Sequence, residues 1–495
     1  MAAAQRLPSP NPELAQLVDE SGASKNALAH RVNELAREHG LPGQYNHTSV
    51  RNWTEKGMVP RPPVPLLIAQ ALRERLGRPV STAEIGMPDE LHTPHAHAGL
   101  EFPRDPSHAA RVATQFWSQV NRRKFLSTGA FTVSAFATPV TRWLVQPSAS
   151  PVPQTHHQSP DKAFAISTFA GPVNQWLSQS PDTPAVESGV GRRVGLHDVN
   201  ELWQAAEEAR RWDAKYGGGD AKSSSLTSYL RRRAAPLLHG TFSEPIGREL
   251  FSVSSELSRL VGWSAFDDGH HALAQQHFIQ ALSLARTGGN VELGAYVLTT
   301  MALQTLLRGH PSEAIDMCQG AYERSKTVAA PKVLAFTRLI EARAHARANA
   351  PRAAGAALAA SEALLETARP AEQPTWIGYL THARLSGDAA EVYRDLGNTK
   401  AALAWNTQAA SMPADSSTRC VGIRLAVVGS AYLQAGDLDQ GLHHGRQAVK
   451  VLSSVDSARA RGYVRGVTTA LEPWKNEARV KDFIHHARAQ LALST

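Results

Sequence analysis

A run of polar and basic side chains between residues 47 and 56 offers the clearest chemistry in this sequence. Arginine can hold guanine through two parallel hydrogen bonds, asparagine can hold adenine, and serine or threonine can bond a base or a phosphate. Val50 and Trp53 stand three positions apart and are expected to face a core, which would fix the pose of a short helix. The pattern predicts contacts with double-stranded DNA from Lys25, His47, Thr48, Ser49, Arg51, Asn52 and Lys56.

This run lies on the third of four predicted helices, which together make one unit over residues 1–90. Asn11 and Pro12 begin the first helix and Gly22 ends it, and Ser24 caps a second helix of regular apolar spacing. A turn then leads to the short third helix, "TSVRNWTEKG", and a proline-rich break precedes the fourth, "PLLIAQALRERLG". A helix, a turn and a short helix with polar residues at its start is the arrangement that reads the major groove.

The charge of this unit supports the same interpretation. Between residues 21 and 80 there are nine basic and four acidic side chains, an excess that favours DNA phosphates. The order "SKNALA…TSVRNW…G…P" resembles the lambda-repressor-like (XRE/Cro) helix-turn-helix, with a longer second helix and turn. Because one short recognition helix gives little specificity, we expect a homodimer that reads two half-sites. The alternative is a small helical bundle with a solvated basic face.

Residues 91–190 predict a linker that contains a partly helical basic segment. Helical periodicity fades here, and no Asp, Glu, Lys or Arg occurs between Trp143 and Pro160. The stretch "NRRKFLSTGAFTVSAFA", residues 121–137, resembles a twin-arginine export signal, but signal peptides stand at the start of a chain. We therefore expect a cytoplasmic protein, with an exported repeat protein as the alternative.

The sequence repeats itself between about residues 250 and 450. A turn residue recurs at spacings of 40, 40, 48 and 39 residues, and five positions after it comes alanine or glycine. This resembles the tetratricopeptide repeat, a helical hairpin of about 34 residues that buries its apolar stripe only when hairpins stack. The resemblance implies an all-α fold, with an α-solenoid over residues 191–495. The turn residues are Gly269, Gly309, Asn349, Gly397 and Gly436, and the small residues are Ala274, Ala314, Ala354, Ala402 and Gly441.

In tetratricopeptide arrays the first helix of each hairpin lines the concave face, and this resemblance points eight side chains into a sensing groove. The aromatic and apolar ones would offer burial, and the arginines would bond carboxylates or peptide carbonyls. We expect a peptide or protein partner, such as an extended acidic peptide or a partner's carboxy terminus. The alternative is structural, with Arg343 or Arg384 paired to Glu391 across adjacent hairpins. The predicted groove residues are Tyr296, Thr299, Leu303, Phe336, Arg343, Arg384, Glu391 and Arg394.

A further resemblance covers nearly the whole chain. The helix-turn-helix unit followed by "VGLHDVNELW", "YGGGDAKSSS", "LVGWSAFDDGHHALAQQHF" and "EPW…VKDFIHHAR" resembles actinobacterial regulators with an XRE-type domain and carboxy-terminal tetratricopeptide repeats. The resemblance implies a transcription regulator of development or secondary metabolism whose repeats bind a ligand or partner. The alternative is a tetratricopeptide interaction scaffold without sequence-specific DNA binding.

Other classes of function find little support in the sequence. The 495 residues carry a net charge of +8 and only two cysteines, so no disulfide framework or zinc ribbon is expected. No nucleophile elbow or zinc-protease motif occurs, and we expect no enzyme and no cofactor. His92, His95 and His97 have metal-like spacing but lack a ligand framework, so we expect no metal site. No uninterrupted apolar stretch of membrane-spanning length occurs, and we expect no membrane partner.

Overall fold

A computed structural model of the chain describes residues 10–38, 44–60, 64–76, 78, 80, 82, 84–87, 105–119, 192–218, 220–414 and 417–491. Helices dominate these ranges, which contain no β-strand beyond one isolated bridge between Arg193 and Thr241. The predicted all-α fold is therefore confirmed. The chain divides into two compact units, Met1–His97 and Ala98–Thr495. Within the described ranges, no helix has both the length and the apolar character needed to cross a bilayer.

The first unit packs four helices around one apolar core. Asn11 caps the first helix by accepting a hydrogen bond from the Leu14 N–H at 2.9 Å, and it donates through its side chain to the Ile85 carbonyl at 2.8 Å. The bond to Ile85 joins the start of the first helix to the segment that follows the fourth. The core includes Leu28, Val32, Leu35, Val50, Ile68 and Leu72. The helices are α1 (Pro12–Glu20), α2 (Lys25–Glu38), α3 (His47–Glu55) and α4 (Val64–Leu76).

The second unit begins with helices that precede the repeats. A π-helical turn, Leu230–Ala234, joins the third of these helices to the fourth, in which Pro236 has no backbone N–H. These helices are α5 (Pro106–Gln119), α6 (Leu196–Tyr216), α7 (Asp220–Tyr229) and α8 (Ala235–Leu238).

Five helical hairpins follow, and the first helix of each packs against its own second helix. The five predicted turn residues all have positive φ, and Asn349, at 54°, is the only residue other than glycine with this conformation in the described ranges. A positive φ strains most L-residues and is tolerated by glycine and asparagine, so the repeated Gly or Asn has a physical cause. The hairpins are α9 (Glu244–Asp267) with α10 (His271–Thr287), α11 (Val291–Leu307) with α12 (Pro311–Ser325), α13 (Pro331–Arg347) with α14 (Pro351–Glu366), α15 (His382–Asp395) with α16 (Thr399–Ala409), and α17 (Thr418–Gln434) with α18 (Leu438–Leu452).

The small residues of each repeat allow its two helices to approach closely. Ala274, Ala314 and Ala354 are fully buried between their helices. A Cβ added to Gly262 on α9 would lie 2.7 Å from the ring of Phe278 on α10, closer than carbon atoms can pack. The first helices also contact one another in chain order, from α9 to α17. The predicted stack of helical hairpins is therefore confirmed.

The two ends of this stack are joined, which the sequence did not predict. Helix α19 (Ala458–Ala470) packs against α17 and also reaches α9, and α6 packs against both α9 and α17. The N–H of Asp456 donates to the Tyr216 carbonyl at 3.0 Å. In an open solenoid each repeat contacts only its neighbours. The last helix, α20 (Ala478–Leu491), packs on α18.

One helix, α5, lies inside the predicted linker of residues 91–190. It buries Phe116 and Trp117 in the same core as the first hairpins, and the Phe116 ring lies 4.7 Å from the ring of His277 on α10. This part of the predicted linker is therefore a packed helix, which the sequence analysis did not anticipate. The rest of that prediction, including the stretches 121–145 and 143–160, lies outside the described residues, as do His92, His95 and His97.

Candidate functional site

The amino-terminal end of α3 is held by its own side chains. The Asn46 side chain accepts hydrogen bonds from the N–H groups of Thr48 and Ser49, at 3.0 and 3.1 Å, and the Ser49 hydroxyl accepts from the Asn46 N–H at 3.3 Å. This capping box satisfies the N–H groups that have no partner within a helix. The Ser49 hydroxyl is thus occupied by capping, so its predicted role toward DNA would compete with that bond.

The turn that leads into α3 is fixed from behind by α2. The Asn33 amide donates to the Tyr45 carbonyl at 2.7 Å, and its oxygen accepts from the Tyr45 N–H at 2.9 Å. The Tyr45 and Trp53 rings lie 5.4 Å apart, and Trp53 and Val50 are both buried. The prediction that Val50 and Trp53 face the core is confirmed, and together these contacts set the pose of α3 on α2.

The predicted DNA-contacting residues are presented by this pose. His47, Thr48, Arg51 and Lys56 are exposed, whereas Lys25, Ser49 and Asn52 are half-buried. Their side chains therefore form one polar surface, on α3 and the first turn of α2, with the apolar side of α3 against the core. We call this surface the α3 face.

Glu55 joins two of the cations on the α3 face. Its two carboxylate oxygens lie 2.7 Å from Nζ of Lys25 and 2.7 Å from Nε of Arg51. Hydrogen bonds from Lys25 and then Arg51 lower the pKa of the Glu55 carboxyl to about 2. Glu55 was not among the predicted site residues, although its position four residues after Arg51 on a helix is a signal for such a pair. Any phosphate or base that takes Arg51 must therefore compete with this carboxylate.

The aromatic and hydroxyl residues of the predicted groove do come together in the second unit. The Tyr296 ring lies 5.6 Å from the Phe336 ring, and the Thr299 hydroxyl lies 2.9 Å from the Thr337 hydroxyl. Leu303 is buried on the same helix as Tyr296. All of these side chains are buried, so they do not line an open groove.

Two arginines of the predicted groove, Arg343 and Arg394, are paired with its glutamate, Glu391. Nη2 of Arg343 lies 2.8 Å from Glu391, and the Tyr463 hydroxyl of α19 donates to the same carboxylate at 2.9 Å. Burial opposes the charge of Glu391, but nearby guanidinium groups, that of Arg343 above all, lower its pKa to about 2. Arg394 lies 3.4 Å from Glu391. The structural alternative, Arg343 paired to Glu391 across adjacent hairpins, is thus confirmed.

Arg384 takes a different partner from the one expected. Its Nε lies 2.8 Å from Asp388, one turn along the same helix, and its Nη1 lies 3.1 Å from Sγ of Cys420. Asp388 also lies 3.3 Å from Arg343, so the two arginines share a carboxylate. The three predicted arginines are therefore engaged inside the array, and ligand binding by them stays a prediction.

A second buried ion network joins the ends of the array. Arg419 on α17 lies 2.6 Å from Asp213 on α6 and 3.0 Å from Asp267 on α9, and Arg459 on α19 lies 2.9 Å from Asp267. Burial opposes the charge of Asp267, but Arg419 and then Arg459 keep its pKa below the ordinary value. We call these four residues the clasp. None of these four residues was predicted as a site residue, since they are scattered across the chain and share no motif.

The described residues contain no group of three His, Cys, Asp or Glu side chains that could hold a metal ion. Cys318 is buried, and burial raises the pKa of its thiol well above the usual range. The candidate sites are therefore the exposed α3 face and the interior of the repeat array.

Comparison with protein families finds a match over the first unit. Residues 14–88 match the family model of the SP15 N-terminal domain, which coincides with α1 to α4 and the segment after them. No curated protein matches the chain. The repeat array is therefore characterised by its structure alone.

Proposed function

We propose that this protein is a DNA-binding transcription regulator. In this proposal, the α3 face enters the major groove of double-stranded DNA, and the repeat array binds a peptide or protein partner and supports a homodimer in the cytoplasm. The resemblance to actinobacterial regulators extends the proposal to the control of development or secondary metabolism. The match to the SP15 N-terminal domain carries no information about DNA.

The α3 face is the single observation that carries the proposal. Arg51 is exposed and Asn52 half-exposed on a short helix that is capped, anchored by two buried side chains and backed by α2. These are the side chains that discriminate guanine and adenine in the major groove. Lys25 and Lys56 are placed at the same face, where they could contact phosphates.

The second candidate function is a protein-interaction scaffold, and the Glu55 contacts favour it. Both Lys25 and Arg51 already have a carboxylate partner in the free unit, which reduces the positive potential available to phosphates. In a scaffold the repeats alone would carry function and the first unit would bind DNA no better than a random basic surface.

Binding of labelled duplex DNA separates the two functions. The full chain is mixed with labelled fragments of its own genome and washed at rising salt concentration. Under the proposal, a minority of fragments should stay bound at salt concentrations that release the others. The double variant Arg51→Ala/Asn52→Ala should lose that preference, and Arg73→Ala, which removes an exposed arginine of α4, should keep it. A chain that retains every fragment equally would favour the scaffold.

A further inference from the structure

The connection between α14 and α15 is the segment that lengthens one repeat to 48 residues. We call residues 367–381 the insertion. It contains two short 3₁₀ turns, Pro370–Glu372 and Thr375–Ile377. The first turn is exposed, whereas Trp376, Ile377 and Leu380 are buried and Tyr379 stays 41% exposed at the edge of the array. The insertion therefore has a solvent-facing half and a half that is sunk into the array.

The buried half lies on the first helices of earlier hairpins. The Trp376 ring lies 4.7 Å from the ring of Tyr296 on α11, and the Tyr379 ring meets the edge of Phe336 on α13 at 6.2 Å. The hydroxyls of Tyr379 and Tyr296 are 3.2 Å apart. Arg259 on α9 places its guanidinium group 4.7 Å from the Tyr296 ring. We call the surface formed by Arg259, Tyr296 and Phe336 the aromatic cleft.

The insertion sits on the aromatic cleft in the way that a bound peptide would. Its backbone hydrogen bonds close its own turns, as from the Ile377 N–H to the Pro374 carbonyl at 3.2 Å and from the Gly378 N–H to the Thr375 carbonyl at 3.1 Å. Side chains make its contact with the cleft, and the Lys332 N–H donates to the Gln373 side chain at 3.0 Å. In solenoids, insertions of single repeats commonly lie on the binding face.

We propose that the aromatic cleft is a peptide-binding site, which the insertion fills while the chain is free. The partner is a segment that bends into a 3₁₀ turn and carries two aromatic side chains three positions apart, as Trp376 and Tyr379 are. This inference rests on the proposed sensing role of the array. It also replaces the acidic peptide expected from the sequence, because Arg343 and Arg384 are held by carboxylates of the array itself. Tyr296 and Phe336 contact aromatic rings of the insertion, so we expect the cleft to bind a partner through aromatic side chains.

The insertion is joined by the chain itself to α14 and α15, so it stays close to the cleft. An external peptide must therefore compete with the insertion for the cleft. A short tether gives an effective concentration on the order of 1 mM. A free peptide with a Kd of about 10 µM for the empty cleft would then bind the intact chain about 100-fold more weakly. Removing the two aromatic side chains of the insertion should abolish this competition while Ile377 and Leu380 stay in the core.

The test uses a fluorescent synthetic peptide with the sequence of residues 368–381 and the full chain without DNA. Fluorescence anisotropy should show at least 10-fold tighter binding to Trp376→Ala/Tyr379→Ala than to the unaltered chain, as removal of the tethered competitor requires. Trp376→Phe, which keeps a ring against Tyr296, is the matched control and should bind as weakly as the unaltered chain. A peptide with alanine at both aromatic positions should not bind.

Equal binding to the double variant and the unaltered chain would overturn the proposal, as would no binding to a double variant whose circular dichroism shows it folded. Should that variant unfold, a protease site placed in the exposed residues 369–372 replaces it. Cutting there frees one end of the insertion, so the labelled peptide should exchange in, and failure to exchange would contradict the site. Because DNA is absent, failure here leaves the proposed DNA binding intact, and failure of DNA binding leaves this site intact.

Discussion

Arg419 and Asp267 are separated by 152 positions in the sequence, yet Nη1 of Arg419 lies 3.0 Å from Oδ2 of Asp267. Arg419 belongs to the fifth hairpin and Asp267 to the first, so this contact joins the two ends of the repeat array. Both side chains are buried, and Asp213 and Arg459 complete the network. An array closed in this way has to break buried ion pairs before its ends can separate.

We predict that Asp267→Asn strongly destabilises the second unit. Removing one partner of a buried ion pair leaves uncompensated charge, here on Arg419 and Arg459, and typically costs about 3–5 kcal/mol. The free energy of unfolding from urea titrations of the full chain, followed by circular dichroism, measures this. The matched control is Glu372→Gln, which breaks the exposed pair with Arg369 and should change stability by about 0.5 kcal/mol or less. Similar losses in both variants would contradict a structural clasp.

We predict that Arg343→Ala lowers the melting temperature of the second unit. Arg343 is buried against Glu391, Asp388 and Tyr463, so its removal leaves two buried carboxylates short of a partner. Arg384→Ala should have a smaller effect, because Arg384 is half-buried and only one carboxylate depends on it. Differential scanning calorimetry provides the comparison. An unchanged melting temperature together with a lost response to a partner would instead support a ligand-binding role for Arg343.

We predict that His277 makes the second unit less stable in acid. Burial lowers the pKa of His277 to about 3, and its Nε2 has no hydrogen-bond partner among the described residues. The unfolded chain, with a histidine pKa near 6.5, therefore binds a proton that the folded chain does not. This contribution to stability is complete above pH 6.5 and is lost as the pH falls toward 3, by up to about 1.4 kcal/mol per pH unit.

The variant His277→Gln isolates this contribution. It should flatten the pH dependence of the free energy of unfolding between pH 6.5 and 5, where few carboxylates titrate. His486→Gln, which changes an exposed histidine of α20, should leave the slope as it is. An unaltered slope in His277→Gln would show that His277 titrates normally in the folded chain.

The repeats could be predicted because their signal is local. A residue tolerant of positive φ and a small residue five positions later mark each hairpin, whatever lies elsewhere in the chain. The closure of the array could not be predicted, since the clasp depends on which helix ends meet in space. Helix α5 was not predicted because its buried face is largely alanine. Its large buried side chains are those of Phe116 and Trp117.

The candidate sites were predictable to different degrees. Asn46, Val50 and Trp53 set the pose of α3 through contacts close in sequence, so the exposed side of α3 followed from helical spacing. The sensing groove was predicted from helical position alone, which could not indicate that the insertion and Tyr463 fill that interior. On the α3 face, helical position could not indicate that Lys25, thirty positions before Glu55, shares this carboxylate with Arg51.

We predict that Glu55→Gln strengthens binding to DNA of any sequence. Glutamine keeps the shape of the side chain but removes the charge that holds Lys25 and Arg51, and both cations then become available to phosphates. The slope of log Kd against log salt should steepen by about 1 for each additional phosphate that these cations neutralise. Glu74→Gln on α4 removes an equal charge away from the α3 face and should have a smaller effect. Equal effects of the two variants would mean that only net charge matters.

The most direct test of the account is selection of duplexes from a random DNA library by the full chain, followed by sequencing. The account predicts convergence on a short motif, which dimers would show as two half-sites about one helical turn apart. Arg51→Ala should relax the preference at one base pair and weaken binding to the motif by about 1–3 kcal/mol, whereas Lys56→Ala should weaken all sequences alike. A library that stays random after selection, with equal retention of motif and scrambled DNA, would contradict the account.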